Sequence, residues 1–205
     1  MKLLLFSDVH VSQRACEHLC RLSTEVDIVI GAGDFGALRR GIEQTIGWLS
    51  SISKPSILVP GNAESFHELH EACRQWPAAR VLHGTHIDIK GLTFYGIGGG
   101  IPVTPFGSWS YDFTENQALN ILNNCPANCI LISHSPPFGL LDVSSGGRHL
   151  GSTSIRKTLE QKTPRLVVCG HIHESGGKIT RFNQTDIVNA GPGGMIYHLN
   201  TDQQT

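Results

Sequence analysis

Charge is scarce in this chain: Lys, Arg, Asp and Glu make up 16% of 205 residues, and the formal net charge is -1. A balance this close to zero supplies no basic field for a nucleic-acid backbone or an anionic membrane surface, so no extended nucleic-acid interface and no membrane contact are expected. Long apolar runs are missing too. The run that opens the chain meets Asp8 at once, too short for an export segment and far below the roughly 20 residues that span a bilayer, so it reads as the first strand of a soluble, cytoplasmic protein. Of the six cysteines, Cys16 with Cys20 and Cys125 with Cys129 lack the C-x-x-C spacing of structural zinc, and free thiols are expected. Repeats, low-complexity tracts and linkers are absent. The length suits one hydrophobic core, and the expectation is a single domain over residues 1–205 with one site.

Branched apolar runs recur at Leu3–Phe6, Ile28–Ile30, Ile57–Val59, Ile130–Ile132 and Leu166–Val168, each closed by turn residues, as buried central strands are. Between them, helical spacing appears at Gln13–Ser23 behind a Ser12 cap, Ile42–Leu49, Ser65–Gln75, Thr114–Asn123 and Thr153–Glu160. This alternation predicts an α/β fold. Two regions break the rhythm: Thr85–Ile89 and Leu92–Ile97 read as a hairpin about Lys90-Gly91, and Lys178–Phe182, Ile187–Ala190 and Met195–Leu199 read as a terminal antiparallel meander. Gly98–Gly107 is expected to be a surface loop. Its G-I-G-G-G-I-P run lacks the strand, turn and helix context of a dinucleotide site.

Eleven histidines need a positional explanation. Each central run ends in residues that can bind metal, as when a site gathers at the carboxyl ends of strands in an α/β sheet. After the first comes Asp8-Val9-His10, whose i and i+2 side chains point to one side of an extended segment. Gly33-Asp34, Gly61-Asn62 and Ser133-His134 close the next three, and Gly170-His171-Ile172-His173 repeats the i, i+2 logic with two imidazoles. Singly these are common turn residues. In this order, D-x-H, G-D, G-N, H and G-H-x-H closely resemble the metal-binding signature of calcineurin-like metallophosphoesterases, and the resemblance runs from Asp8 to His173.

The resemblance implies a four-layer α-β-β-α sandwich of two mixed β-sheets flanked by helices. It also implies two divalent ions, with Asp8, His10 and His173 at one, Asn62, His134 and His171 at the other, and Asp34 bridging them. Imidazole, carboxylate and amide ligation suits Mn, the first choice here, and equally Fe, Zn, Co or Ni. Asp34 and Asn62 then belong to the catalytic centre, where a metal-bridging hydroxide would attack phosphorus. The expected substrate is a small phosphate ester, a nucleotide among the candidates. The short, uncapped form resembles phosphodiesterase-like members more than phosphomonoesterases. The competing expectation is a non-catalytic scaffold on the same fold that binds a nucleotide or a protein.

The sequence departs from the pattern at Ala63, where many relatives carry a histidine that can protonate the leaving group. Glu64 keeps the acidic position after it without that partner. Replacement groups are expected in the loop between the fourth motif and the next helix, where Arg148 can grip phosphate through its planar fork and His149 can donate a proton. His67 is a further candidate, while His83, His86 and His198 are expected to be structural.

Overall fold

A computed structural model describes residues 1–200. Strand β1, Lys2–Phe6, turns Leu3 and Leu5 into one apolar cluster and Leu4 and Phe6 into another. A strand covered on both faces has no solvated side to mark with polar residues, which is why these strands read as continuous apolar runs. The others are β2 (Ile28–Gly31), β3 (Ser56–Leu58), β4 (Ala79–Val81), β5 (Thr85–Ile89), β6 (Leu92–Ile97), β7 (Ile130–Ser133), β8 (Leu166–Cys169), β9 (Lys178–Phe182), β10 (Thr185–Asn189) and β11 (Met195–His198). They form two sheets, ordered β11-β1-β2-β3-β4 and β5-β6-β7-β8-β10-β9. In the first, β1 to β4 are parallel and β11 is antiparallel; in the second, β6, β7, β8 and β10 are parallel and the edges β5 and β9 are antiparallel.

Helices α1 (Gln13–Ser23), α2 (Ile42–Leu49), α3 (Phe66–Ala72), α4 (Glu115–Leu122) and α5 (Thr153–Lys162) complete the fold. Ser12, Ser65, Thr114 and Ser152 cap four of them, with full capping boxes from Ser65 to Glu68 and from Thr114 to Gln117. Such caps satisfy end N–H groups and are worth about 1 kcal/mol each. Ile30, Ile57, Ile132 and Val168 fill the space between the sheets. Cys16, Leu49 and Leu69 bring α1 to α3 onto the first sheet, and Ala118, Leu122, Ile155 and Leu159 bring α4 and α5 onto the second. The architecture is therefore the four-layer α-β-β-α sandwich. No described helix is long and apolar enough to cross a membrane, and all six cysteines are free thiols.

Two local expectations need correction, and one strand is added. The terminal meander does not form: β9 and β10 pair, but β11 crosses to the other sheet and lies against β1. The crossing uses Gly191 and Gly194, both at positive φ, and Gly191 exchanges hydrogen bonds with Ser7 at 3.0 and 2.9 Å. The loop after β6 is not all surface, because Gly98 to Ile101 are buried. Strand β4, three residues containing Ala79 and Arg80, carried no apolar signal and exists through its parallel pairing with β3.

Candidate metal centre

The carboxyl ends of β1, β2 and β3 in one sheet meet those of β7 and β8 in the other. The connecting backbone is unusual there: Asp8, His10, Val11, Asp34 and His171 all sit at positive φ, between 42° and 67°. Non-glycine residues rarely hold that region, and each such residue costs about 1–3 kcal/mol unless its surroundings fix it. Here the first two loops are zipped together by Asp8 N–H to Gly33 O at 2.9 Å, His10 N–H to Asp34 O at 3.1 Å and Val11 N–H to Phe35 O at 3.1 Å. Gly61 permits the third loop to approach, since a Cβ on it would lie 2.0 Å from Asp34 Oδ1.

Donor atoms of Asp8, His10 and His173 come within 4.8 Å of one another, as do those of Asp8, Asp34 and His134. Asp34 lies between the groups, Oδ2 at 3.5 Å from His10 Nε2 and Oδ1 at 3.4 Å from His134 Nε2. Asn62 Oδ1 is 3.2 Å from His134 Nε2. The His171 ring packs 4.9 Å from that of His134, and its backbone N–H donates to both Asp8 oxygens. All seven side chains read from the motifs therefore gather at one place. Their outer atoms are tied as a cation site requires: His10 Nδ1 donates to Gly36 O at 3.0 Å and His134 Nδ1 to Ala32 O at 2.8 Å, which leaves each Nε2 an acceptor. Around His134 Nε2 stand Asn62 Oδ1 and Asp34 Oδ1, and His10 Nε2 faces His173 Nε2 at 3.2 Å. These imidazole nitrogens, carboxylate oxygens and amide oxygen converge as metal ligands do, so the donor set fits divalent metal.

Burial works to raise the Asp8 carboxyl, yet the His173 hydrogen bond, the His134 charge and the Ser7 hydroxyl bring it down to about 2. Burial works to lower His134, and the Asp34 and Asp8 carboxylates raise it nonetheless. His171 is pushed down to about 4 by burial and by His134, which favours the neutral, ligating imidazole. Hydrogen bonding to Asp8 raises His173, against the effect of burial.

Glu64 has a role that the sequence left open. Its carboxylate, 1% exposed, accepts the N–H groups of Asp34 and Gly36 at 2.9 Å each and of Gly61 at 2.6 Å, and so staples the second motif loop to the third. Burial first, then the Asp34 charge, pushes it up to about 7 against the Gly61 and Gly36 hydrogen bonds. Ala63 is buried under the loop that follows Asp34, donating to Asp34 Oδ1 and accepting from Arg39 N–H at 3.0 Å. Ser110 was missed by sequence reasoning. Its hydroxyl accepts from Asn62 Nδ2 at 3.0 Å and donates to Asp112 at 2.8 Å, fixing which way the Asn62 amide points. Nothing local in the sequence flags it, because 48 residues separate it from Asn62.

Arg148 lies exposed in a hairpin turn between β7 and α5, its backbone paired with Ser144 and its guanidinium in no ion pair or hydrogen bond among the described residues. His149 is half-exposed and bonded to Asp142. The structure does not bring His67, on the exposed face of α3, into the cluster; His83 stacks among Phe66, Tyr111 and Phe113, and His86 and His198 lie exposed on strands.

The chain is 32% identical over 178 residues to an uncharacterized protein of Methanocaldococcus jannaschii, a match covering 81% of this chain and 78% of that one. It is also 32% identical over 154 residues to the human metallophosphoesterase domain-containing protein 1, covering 73% of this chain but only 43% of the human protein. A crystal structure of a Thermus thermophilus protein shares the fold, with a TM-score of 0.72 at 18% identity over 97% of this chain and 99% of that chain. The family model of the calcineurin-like phosphoesterase superfamily domain matches residues 1–203. With the family model spanning nearly the whole chain and the fold agreeing, the chain belongs to the calcineurin-like phosphoesterase superfamily, a superfamily of metal-dependent phosphohydrolases.

Proposed function

We propose that residues 1–205 form one catalytic domain that hydrolyses small phosphodiesters, in preference to monoesters, at a dinuclear metal centre. Asp8, His10 and His173 would hold one ion and Asn62, His134 and His171 the other, with Asp34 shared between them and manganese the first candidate. The observation that carries this reading is the position of Asp34, with one oxygen toward His10 and the other toward His134. Two divalent ions held there would lower the pKa of a water and neutralise charge on the phosphoryl oxygens. The protein's own part is to keep the acceptors in place. Backbone carbonyls of Gly36 and Ala32 fix the rings of His10 and His134, Ser110 fixes Asn62, and Glu64 holds the Asp34 loop against Gly61. Such supporting contacts are commonly worth 10- to 100-fold in metal affinity or activity.

Arg148, exposed in the turn between β7 and α5 with its guanidinium in no ion pair or hydrogen bond among the described residues, is the cation we assign to a phosphate oxygen. The preference for diesters rests on the resemblance of the G-N-x-E and G-H-x-H-E motifs to phosphodiesterase-like members. The test is metal analysis together with hydrolysis of bis(p-nitrophenyl) phosphate and p-nitrophenyl phosphate by the wild type and by Asp34→Ala. The expected result is about two metal ions per chain, faster diester cleavage, and loss of both metal and turnover in the variant. A metal-replete protein that cleaves neither ester points to the scaffold reading. Unchanged metal and turnover in Asp34→Ala removes Asp34 from the site.

A further inference from the structure

Away from the metal centre, two nucleophilic side chains are in contact. Cys125 lies just after α4, Cys129 immediately precedes β7, and their sulfurs are 3.6 Å apart. Both are buried in the apolar cluster that α4 and α5 form on the second sheet. The Cys125 Sγ–H donates to Pro126 O at 3.6 Å, so the Sγ–H of Cys129 is the one that donates across the pair. No third metal-ligating group joins the two sulfurs among the described residues. Cys16 and Cys20 have the same four-residue spacing on α1, but Cys20 turns instead to Trp48 O at 3.4 Å.

The backbone holds the pair together. Cys125 N–H donates to Leu122 O at 2.9 Å, while Asn128 N–H donates to Lys162 O at 3.0 Å and Cys129 O accepts from Arg165 N–H at 2.8 Å. Asn128 completes the turn with φ at 56°. Between the cysteines stand Pro126, Ala127 and Asn128, the last two exposed. A short surface turn opens locally at less cost than a core strand, so a small molecule can reach the sulfurs without unfolding β7. A disulfide holds its sulfurs about 2.05 Å apart, so the pair must close by about 1.5 Å, within the range of side-chain rotation beside such a turn. The thiols also differ in character. The Cys129 hydrogen bond holds the Cys125 thiol below its usual range against burial, and the Lys162 charge acts the same way, whereas the same bond and burial push Cys129 up. Cys125 is therefore the sulfur that reacts first.

We infer that Cys125 and Cys129 form a peroxide-sensitive dithiol that closes to an intramolecular disulfide, a modification site separate from the metal centre. The Cys125 sulfur attacks one peroxide oxygen, the oxygen–oxygen bond breaks, and its electron pair leaves with hydroxide, producing a sulfenic acid. The Cys129 sulfur then attacks that sulfur and displaces its hydroxyl as a second hydroxide. The two thiol protons convert both hydroxides to water, and two electrons have passed from the sulfurs to the peroxide. The bridge ties the end of α4 to the start of β7, and a thiol reductant reverses it. The inference stands apart from the hydrolase reading, since His134 lies beyond the other end of β7.

The experiment treats the purified full chain with hydrogen peroxide, then unfolds it, alkylates free thiols and digests it with trypsin. Residues 91–148 form one tryptic peptide whose only cysteines are Cys125 and Cys129. From untreated protein this peptide should carry two alkyl groups. After peroxide it should carry none and be lighter than the free-thiol peptide by two hydrogen atoms, and dithiothreitol before alkylation should restore both groups. Closing a five-residue loop should also raise the melting temperature of the oxidised protein by about 4–8 °C. Neither change should appear in Cys125→Ala or Cys129→Ala. If either variant does not fold, the peptide map of the wild type decides alone. A peptide that keeps both alkyl groups while Cys20 in the same sample is oxidised overturns the inference, as does one whose cysteines gain oxygen or link to a second chain. A bridged protein that melts no higher than the reduced one refutes the claim that the fold already holds the pair in place for the bond.

Discussion

Removing the Glu64 carboxylate is the most direct way to ask whether this site is built by the protein before metal arrives. In Glu64→Ala three buried backbone donors, Asp34, Gly36 and Gly61 N–H, lose their acceptor at once. A stranded buried N–H costs about 1–3 kcal/mol, and water entering the vacated space offsets part of this, so a loss near the low end of the sum, about 3 kcal/mol, is expected. For a chain of this length that lowers the melting temperature by about 6–12 °C. Glu64→Gln keeps one oxygen for two of the donors but turns an amide NH₂ toward the third, and should cost about 1–2 kcal/mol. The assay is thermal and urea denaturation of both variants in chelator, which isolates the fold from any contribution of metal, followed by metal titration of the folded proteins. Both should bind metal more weakly than the wild type, because the Asp34 loop is no longer held to Gly61. Glu64→Ala within about 0.5 kcal/mol of the wild type, the ordinary range for a surface change, would falsify the staple.

Ser110→Ala should leave stability nearly unchanged yet weaken metal binding about 10-fold, since the Asn62 amide loses the acceptor that sets its direction; unaltered affinity by calorimetric titration would mean that Ser110 does not orient Asn62. Arg148→Lys should reduce kcat/KM almost as much as Arg148→Ala if the planar fork grips phosphate, and equal kinetics in all three proteins would return this turn to a solvated surface role. Metal at about 100 times its dissociation constant should stabilise the fold by about 2.7 kcal/mol, raising the melting temperature by about 5–11 °C, an effect reversed by chelator. No change in melting with Mn, Zn, Co, Ni or Fe would contradict a site formed in the folded state.

The sequence alone determined the chemistry-bearing residues and the strands that carry them. A buried strand shows as an unbroken apolar run, and the residue after it must leave the sheet, so Asp8, Asp34, Asn62, His134, His171 and His173 were visible as polar groups at strand ends. Helix caps were visible for the same local reason, since Ser65 and Glu68 meet within one turn. What only the tertiary structure decided lies in contacts between distant segments. Strand β11 has the pattern of a meander partner, and its pairing with β1 depends on the Gly191 and Gly194 turn crossing from one sheet to the other. Glu64, Ser110 and Asp142 look like ordinary loop residues, because their partners are brought to them by the fold or by a hairpin that no periodicity announces. Side-chain periodicity reports which face is buried. It does not report which buried N–H, amide or imidazole will face a given carboxylate or hydroxyl, and that pairing orients the ligands of this site.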